Sequence, residues 1–521
     1  MRLRLRTVLR QRIVAVTDYS GLDTPREAMH AAIIGLQRKF AWPEADVKNV
    51  VFKRTCDCGT SQTRLLTWIS NHCFGSRVCH FENLFDRLPT WGKEWLAAAL
   101  PPKNASKAVR SAAHQDIDEW MHRCKDALFT PEQKSMCSVH GRMCPVHPKY
   151  DVAMPQPPAK RSRDEQGTEH HPEEIPEDSE DIPEEQSDDE RDEPVYINVA
   201  GVTCLAWSGE GAQEQHAHFS EVPHSLWCAE RSAWASRKDE GLFFSECTPK
   251  YPVETKLMDR LPHHEVLSIR TAPEFFGWPS RRKRLLMCGI VKSQFVWAGP
   301  TDYEEDFARR FYKGMSVQGD VFFRASRAER DEEYTEIARA RKFQVSSEHL
   351  KSMRAQAVLE MILPPGALVR AFTHNGNRET LAADEVLIVD VDHNVGSKGS
   401  TPGSEWPVQL THGTFMNITE DIADMQVAVA REHLLAMGFN MYPPEGSLLP
   451  PSPLVTALSA CSMSRSEIKR LGGNSMHMVT QAAWMMYVLS NLIRREVPRV
   501  TAQTARRLAT FDCLDDEEDL A

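Results

Sequence analysis

The chain has 521 residues, 26% of them charged and 41% hydrophobic. That length allows two or three domains with a sizeable core, and no apolar run reaches the roughly 18 to 20 residues that a membrane-spanning helix needs. Thirteen scattered cysteines, an odd number, argue against a disulfide scaffold and for a reducing compartment, where thiols serve chemistry, metal binding or packing.

The net charge of −11 is unevenly placed. Between Asp164 and Glu193 sixteen Asp or Glu stand against one Arg, which gives −15 there and leaves +4 for the rest. An acidic tether on a mildly basic body is compatible with a polyanionic substrate.

The start, MRLRLRTVLRQR, is basic and free of acids. It has the charge of a transit peptide without the apolar stretch of a secretory signal, and it runs into RIVAVTDYS, which reads as a first strand. REAMHAAIIGLQRKF follows as a helix, NVVFKRTCDCG as a second strand, SQTRLLTWISNH as a helix and VCHFENLF as a third strand. Cys56, Cys58, His72, Cys73, Cys79 and His80 form a loose Cys/His region that reads as core or strand positions. A long spacer comes next. It holds Cys137, His140, Cys144 and His147, two thiols and two imidazoles whose close spacing suits a tetrahedral zinc ion. The other reading is an irregular loop with reduced thiols.

Residues 155–194 are rich in Pro, Glu, Asp and Ser. They cannot bury enough apolar surface to offset their ordering entropy and read as disordered. The cluster Lys160 to Arg163 reads as a solvated flank or as a nuclear localisation signal. Then come the strand YINVAGVTC, a helix around SLWCAERSAWAS, and the strands GLFFSEC, HEVLSIRTA and RLLMCGIV. Strands alternating with helices predict an α/β fold with a parallel sheet, whose chemistry collects at the carboxyl ends of the strands. From 294 to 428 the pattern changes. RASRAERDEEYTEIARARKF reads as a charged, solvent-facing helix, and ALVRAFTHN and EVLIVDVDHN as short strands of a smaller β-containing region. AREHLLAMGF reads as a helix, and a long apolar helix follows a turn at Gly472, Gly473 and Asn474.

Three strand ends carry a coherent kit. Cys204 follows YINVAGVT, Glu246 closes GLFFSE, and Arg282 and Arg284 precede the last strand. A thiolate can attack an electron-poor ring carbon, a carboxyl group can protonate or hydrogen-bond a ring nitrogen, and an arginine can hold a ring carbonyl or a phosphate. Taken singly, each has an ordinary reading: a buried cysteine, a helix-capping or surface glutamate, solvated arginines, and a helix-capping Asn474.

Together these segments resemble the DNA (cytosine-5)-methyltransferase family. GVTCLAWSGEG resembles its nucleophile loop, FFSECTP its Glu-Asn-Val segment, and GWPSRRKRLLMCGI its Arg-x-Arg segment. AREHLLAMGF resembles the helix closing its recognition region, LGGNSM its late Gly-Asn segment, and DYSGL its opening loop, all in the family's order. The resemblance implies a Rossmann-like S-adenosylmethionine-dependent sheet: residues 1–150 as the first half of the catalytic domain, 195–293 as the second half, 294–428 as a target-recognition region, 429–500 as the return to the catalytic domain and 501–521 as an acidic tail.

It further implies that Cys204 adds to carbon 6 of a flipped cytosine, with Glu246 at nitrogen 3 and Arg284 and Arg282 at the carbonyl or a phosphate. Tyr19, Ser20, Gly21, Leu22, Asp57, Asn83, Asn474 and Ser475 would hold the cofactor. DNA is the implied partner and the nucleus the implied location, with the cytoplasm or an organelle as the alternatives and no membrane. RNA is the alternative substrate, and a catalytically weak binder of cofactor or nucleic acid the alternative of another class. The departures are Asp23 and Thr24 in place of glycines, Thr203 and Leu205 beside the cysteine, Ser280 before the arginines, and Cys247 and Thr248 after the glutamate.

Overall fold

A computed structural model describes residues 2–19, 21–43, 50–57, 59–150, 193–202, 206–208, 214–363, 387–392, 404–408, 413–419 and 421–495. Ser20, Cys204, the cluster at 160–163, the acidic stretch up to 192, the strand expected at 367–375 and the tail 501–521 lie outside the described residues.

The strands, in chain order, are β1 (Ile13–Asp18), β2 (Val50–Cys56), β3 (Cys79–Phe81), β4 (Lys134–Cys137), β5 (Arg142–Pro145), β6 (Val195–Ala200), β7 (Leu242–Cys247), β8 (His264–Thr271), β9 (Arg284–Val291), β10 (Phe295–Trp297), β11 (Leu387–Asp390), β12 (Phe415–Ile418) and β13 (Leu492–Arg494). Seven of them form one sheet in the order β3-β2-β1-β6-β7-β9-β8. The pairs β1–β2, β1–β6, β2–β3 and β6–β7 are parallel, and β9 runs antiparallel to both β7 and β8. The predicted α/β class is what the chain adopts, with a Rossmann-like doubly wound sheet. The chain steps outward from β1 to β3, then returns to the middle at β6. That reversal opens a crevice beyond the carboxyl ends of β1 and β6.

The sheet is buried on both faces, so its strands read as nearly unbroken apolar runs; every residue of β1, β7 and β3 is buried. Alternate residues feed different cores. Along β9, Leu286, Cys288 and Ile290 join Ile13, Met29 and Trp484, whereas Leu285 and Met287 join Trp227 and Leu261. The basic start is a helix, Arg2–Arg10, whose Leu5 and Leu9 are buried in the first of these cores, against the helix Met478–Ser490.

Two local expectations change. Gly472, Gly473 and Asn474 are not a turn; they complete the helix Arg465–Asn474, which a Ser464/Glu467 capping box starts. The charged stretch forms the helix Arg327–Ala340, yet one side of it is inside. Helical spacing places Arg330, Tyr334, Ile337 and Ala338 on that side. Arg330 pairs with buried Glu432 at 2.6 Å, and the Tyr334 hydroxyl donates to the Val427 carbonyl at 2.9 Å. Tyr334, Ile337 and Ala338 pack with Val389 of β11 and with Met416 and Ile418 of β12 in a separate core. No helix among the described residues is long and apolar enough to cross a membrane.

Candidate active site

The sheet gathers the predicted chemistry at one edge. Tyr19, Asp57 and Asn83 follow β1, β2 and β3. Gly201 follows β6, and the undescribed stretch with Cys204 begins two residues later. Glu246 is the penultimate residue of β7. Arg284 opens β9, whose reversed direction brings its start to the same edge, and Glu246 stands opposite Leu286 in the ladder.

Glu246 is 5% exposed. Arg284 Nε donates to its Oε1 at 3.1 Å, and Arg282 Nη2 lies 3.5 Å from the same oxygen. Its Oε2 is buried and has no hydrogen-bond partner among the described residues. The two arginines differ. Arg284 keeps some exposure, whereas Arg282 is buried and donates to the carbonyls of Gly473 at 3.3 Å and Ser475 at 2.5 Å. Arg282 thus ties the sheet edge to the segment that follows the helix Arg465–Asn474.

That segment also meets the loop after β1. Tyr19, Gly21 and Asp23 have φ of +51°, +53° and +58°, so these positions take the left-handed conformation that favours glycine. A Cβ at Gly21 would stand 3.6 Å from both the Asn474 carbonyl oxygen and Ser475 Oγ. Asp23 therefore fills a conformation that a glycine would adopt freely, held there by Arg26 at 2.7 Å and by Thr17 Oγ1, which donates at 3.2 Å.

Asp57 closes the other side. Its two carboxylate oxygens accept from the backbone N–H groups of Gly21 at 2.9 Å and Gly59 at 3.1 Å. Burial pushes its carboxyl upward, against the pull of those two amides. Asn83 Oδ1 accepts from Phe85 N at 3.0 Å and caps the short turn Leu84–Arg87. Ser475 is buried and donates to the Leu471 carbonyl; Asn474 is exposed. Leu22 belongs elsewhere, in a core with Leu65, Leu434 and Met478. A cavity of about 950 Å³ lies on that side too, lined by Leu22, Met29, Val50, Phe74, Gly438 and Met478 among others, and none of Glu246, Arg282 and Arg284 borders it.

Sequence reasoning passed over two features of this edge. The first is a charge cluster around Asp18. Arg87 reaches Asp18 at 2.5 Å and Glu230 at 2.9 Å, Asn198 donates to Asp18 at 2.7 Å, and Arg231 bonds Glu230 and Glu240, each at 2.6 Å. Burial pushes the Asp18 carboxyl up, but Arg87, Arg231 and Asn198 together hold it below its ordinary value. Helical spacing could have shown Glu230 and Arg231 as charges inside an apolar helix; Arg87 had no such signal. The second is His477, fully buried, edge-on to Trp278, with both ring nitrogens unpartnered among the described residues. Burial and then the charge of Arg282 hold it down to about 3, so it is neutral.

The spacer between β3 and β6 corrects the expected metal set. Cys137, His140 and Cys144 do come together on the β4–β5 hairpin, and the fourth member is Cys79 of β3. His147 is buried away from them, packed on Tyr150, Tyr196 and Trp234, and its Nδ1 accepts from Lys149 N. A short spacing rule cannot see Cys79, because docking of the β4–β5 hairpin on β3 brings it in from 58 residues earlier in the sequence.

No family model and no curated protein sequence matches this chain. Among solved structures it is similar to the Entamoeba histolytica methyltransferase EhMeth, at 9% identity and a TM-score of 0.39, over 92% of this chain and 98% of that one. It is similar also to the S. pombe Dnmt2 methyltransferase, at 11% identity and a TM-score of 0.41, over 92% and 98%, and to a Spodoptera frugiperda DNMT2 mutant, at 10% and 0.36, over 91% and 99%. At those values the functional assignment rests on the sheet edge itself.

Proposed function

We propose that the chain is an S-adenosylmethionine-dependent methyltransferase acting on carbon 5 of cytosine in DNA. The observation that carries the reading is Glu246: a buried carboxyl at the sheet's carboxyl edge, oriented by Arg284, with one oxygen unpartnered among the described residues, on the strand next to the one that leads to Cys204.

The cofactor supplies an electrophilic methyl group on a sulfonium. The protein supplies the rest. The Cys204 thiolate forms a bond to carbon 6 while Glu246 donates a hydrogen bond or a proton at nitrogen 3, which makes carbon 5 nucleophilic. Carbon 5 takes the methyl group, a base removes its proton, and the carbon–sulfur bond breaks to restore the ring double bond. Arg284 holds Glu246 and meets the cytosine carbonyl. The base must leave the duplex to reach this edge, which costs a few kcal/mol. The donor set around Gly21 fits a nucleoside cofactor. The left-handed loop, the Asp57 carboxylate and the Asn83 turn present backbone and side-chain polar groups along three adjacent strand ends.

A duplex carrying 5-fluorocytosine tests this. Fluorine cannot leave as a proton does, so a covalent complex accumulates with the wild type and is absent with Cys204→Ser. If the wild type binds cofactor but forms no complex, the catalytic reading fails. A complex with fluorocytosine in RNA and none with DNA moves the substrate to RNA.

A further inference from the structure

We propose that Cys79, Cys137, His140 and Cys144 hold a structural zinc ion that pins the β4–β5 hairpin to β3. The four donor atoms all lie within 4.8 Å of one another. His140 Nδ1 is 3.4 Å from Cys79 Sγ, 3.3 Å from Cys137 Sγ and 3.5 Å from Cys144 Sγ. A tetrahedral ion with bonds of about 2.3 Å to sulfur and about 2.0–2.1 Å to nitrogen sets each sulfur about 3.5 Å from the nitrogen. One imidazole nitrogen has one lone pair or one proton and cannot hydrogen-bond three sulfurs at once; three equal approaches are the edges of a coordination polyhedron. The other ring nitrogen settles the tautomer. His140 Nε2 is 2.9 Å from the Ser76 carbonyl, so it donates there and leaves the Nδ1 lone pair turned to the sulfurs. A ligating histidine ordinarily has such an outer partner. Three thiolates and one imidazole form a closed, soft donor set suited to zinc.

The polar contacts between hairpin and strand fall at the same place. Ser138 N donates to the His80 carbonyl at 2.9 Å, and Ser138 Oγ to Glu82 at 2.7 Å. The next residues along the chain are Asn83 and the turn Leu84–Arg87, whose Arg87 holds Asp18. The ion therefore braces the third strand and, through the turn that follows it, the start of the β1 loop. This assignment does not depend on the methyl-transfer reading.

Metal analysis of the full-length protein, expressed with zinc in the medium, is expected to find about one zinc per chain. Cobalt(II) in its place should give the visible spectrum of tetrahedral thiolate coordination. Zinc content near zero together with no thiolate–cobalt bands overturns the site, and this reading needs no variant to fold. Cys79→Ser should lower bound zinc several-fold, while His147→Gln leaves it unchanged; the opposite pattern replaces Cys79 by His147. Removal of the ion by a chelator should speed hydrogen exchange at the amides of Ser138 and Phe85. Unchanged exchange at both refutes the bracing role.

Discussion

Two arginine–carboxyl clusters are built into this sheet, and they differ in how their carboxyl groups are satisfied. Around Asp18, two guanidiniums (Arg87 and Arg231) face three carboxyl groups (Asp18, Glu230 and Glu240), and all five side chains are buried. Burial, opposed by Arg231, raises Glu240 to about 8, so it keeps its proton near neutrality and the cluster balances. Around Glu246, two guanidiniums converge on one carboxyl group, and Arg282 also holds the carbonyls of Gly473 and Ser475. A balanced buried cluster holds parts of the protein together. A carboxyl at a sheet edge with one oxygen unpartnered among the described residues is instead placed to meet a group from outside.

The largest expected effect separates the two clusters directly. Glu246→Gln keeps the shape and an oxygen for Arg284 but has no proton to give. Single-turnover methyl transfer should fall by about 10²- to 10⁴-fold, with the melting temperature little changed. A variant that instead unfolds places Glu246 in the same structural class as Asp18. Arg87→Met is the reverse experiment. It strands Asp18 and Glu230 in the interior and should cost about 3–5 kcal/mol in urea unfolding. A loss below about 1 kcal/mol, the scale of an exposed ion pair, would break the comparison.

How far the sequence reveals this edge follows from which contacts are local. Strand runs such as IVAVTD and LFFSEC are legible because burial on both faces demands unbroken apolar runs, and Glu246 and Arg284 because they sit at the ends of those runs. What pairs with what across the chain is not legible. Arg87 sits in a turn that reads as ordinary surface, yet it is 4% exposed and bonds residues 69 and 143 positions away. Cys79 sits in a strand, and only the hairpin docking on it shows its partners. Gly472 and Gly473 mislead for the opposite reason. Local propensity favours a turn there, but Leu471 and Gly472 are buried, and packing keeps the helix going.

The balanced cluster also has a pH signature. Glu240 titrates from an ordinary 4.5 up to about 8 in the fold. A carboxyl raised on folding contributes stability that is complete below pH 4.5 and is lost as pH climbs toward 8, because the unfolded chain releases the proton first. Between those limits stability should fall by up to about 1.4 kcal/mol per pH unit from this group. Unfolding free energies of wild type and Glu240→Gln, measured from pH 5 to 8, should diverge in slope, the variant being flatter. Parallel curves would mean that Glu240 is ionised and that the cluster carries a net negative charge.

The smallest effect distinguishes the two arginines beside Glu246. Lysine keeps the charge of either one but loses the planar fork. At 284 the fork makes a single bond to Glu246 Oε1 and retains some exposure, so Arg284→Lys should slow methyl transfer about 10-fold and leave the unfolding midpoint where it was. At 282 the fork spans two carbonyls, those of Gly473 and Ser475, from a buried position. Arg282→Lys cannot reach both, so it should lower stability by about 1–3 kcal/mol and loosen the segment against which Gly21 rests. If both variants act on rate alone, Arg282 belongs with the substrate. If both act on stability alone, the arginines at this edge are structural, and the contrast with the Asp18 cluster disappears.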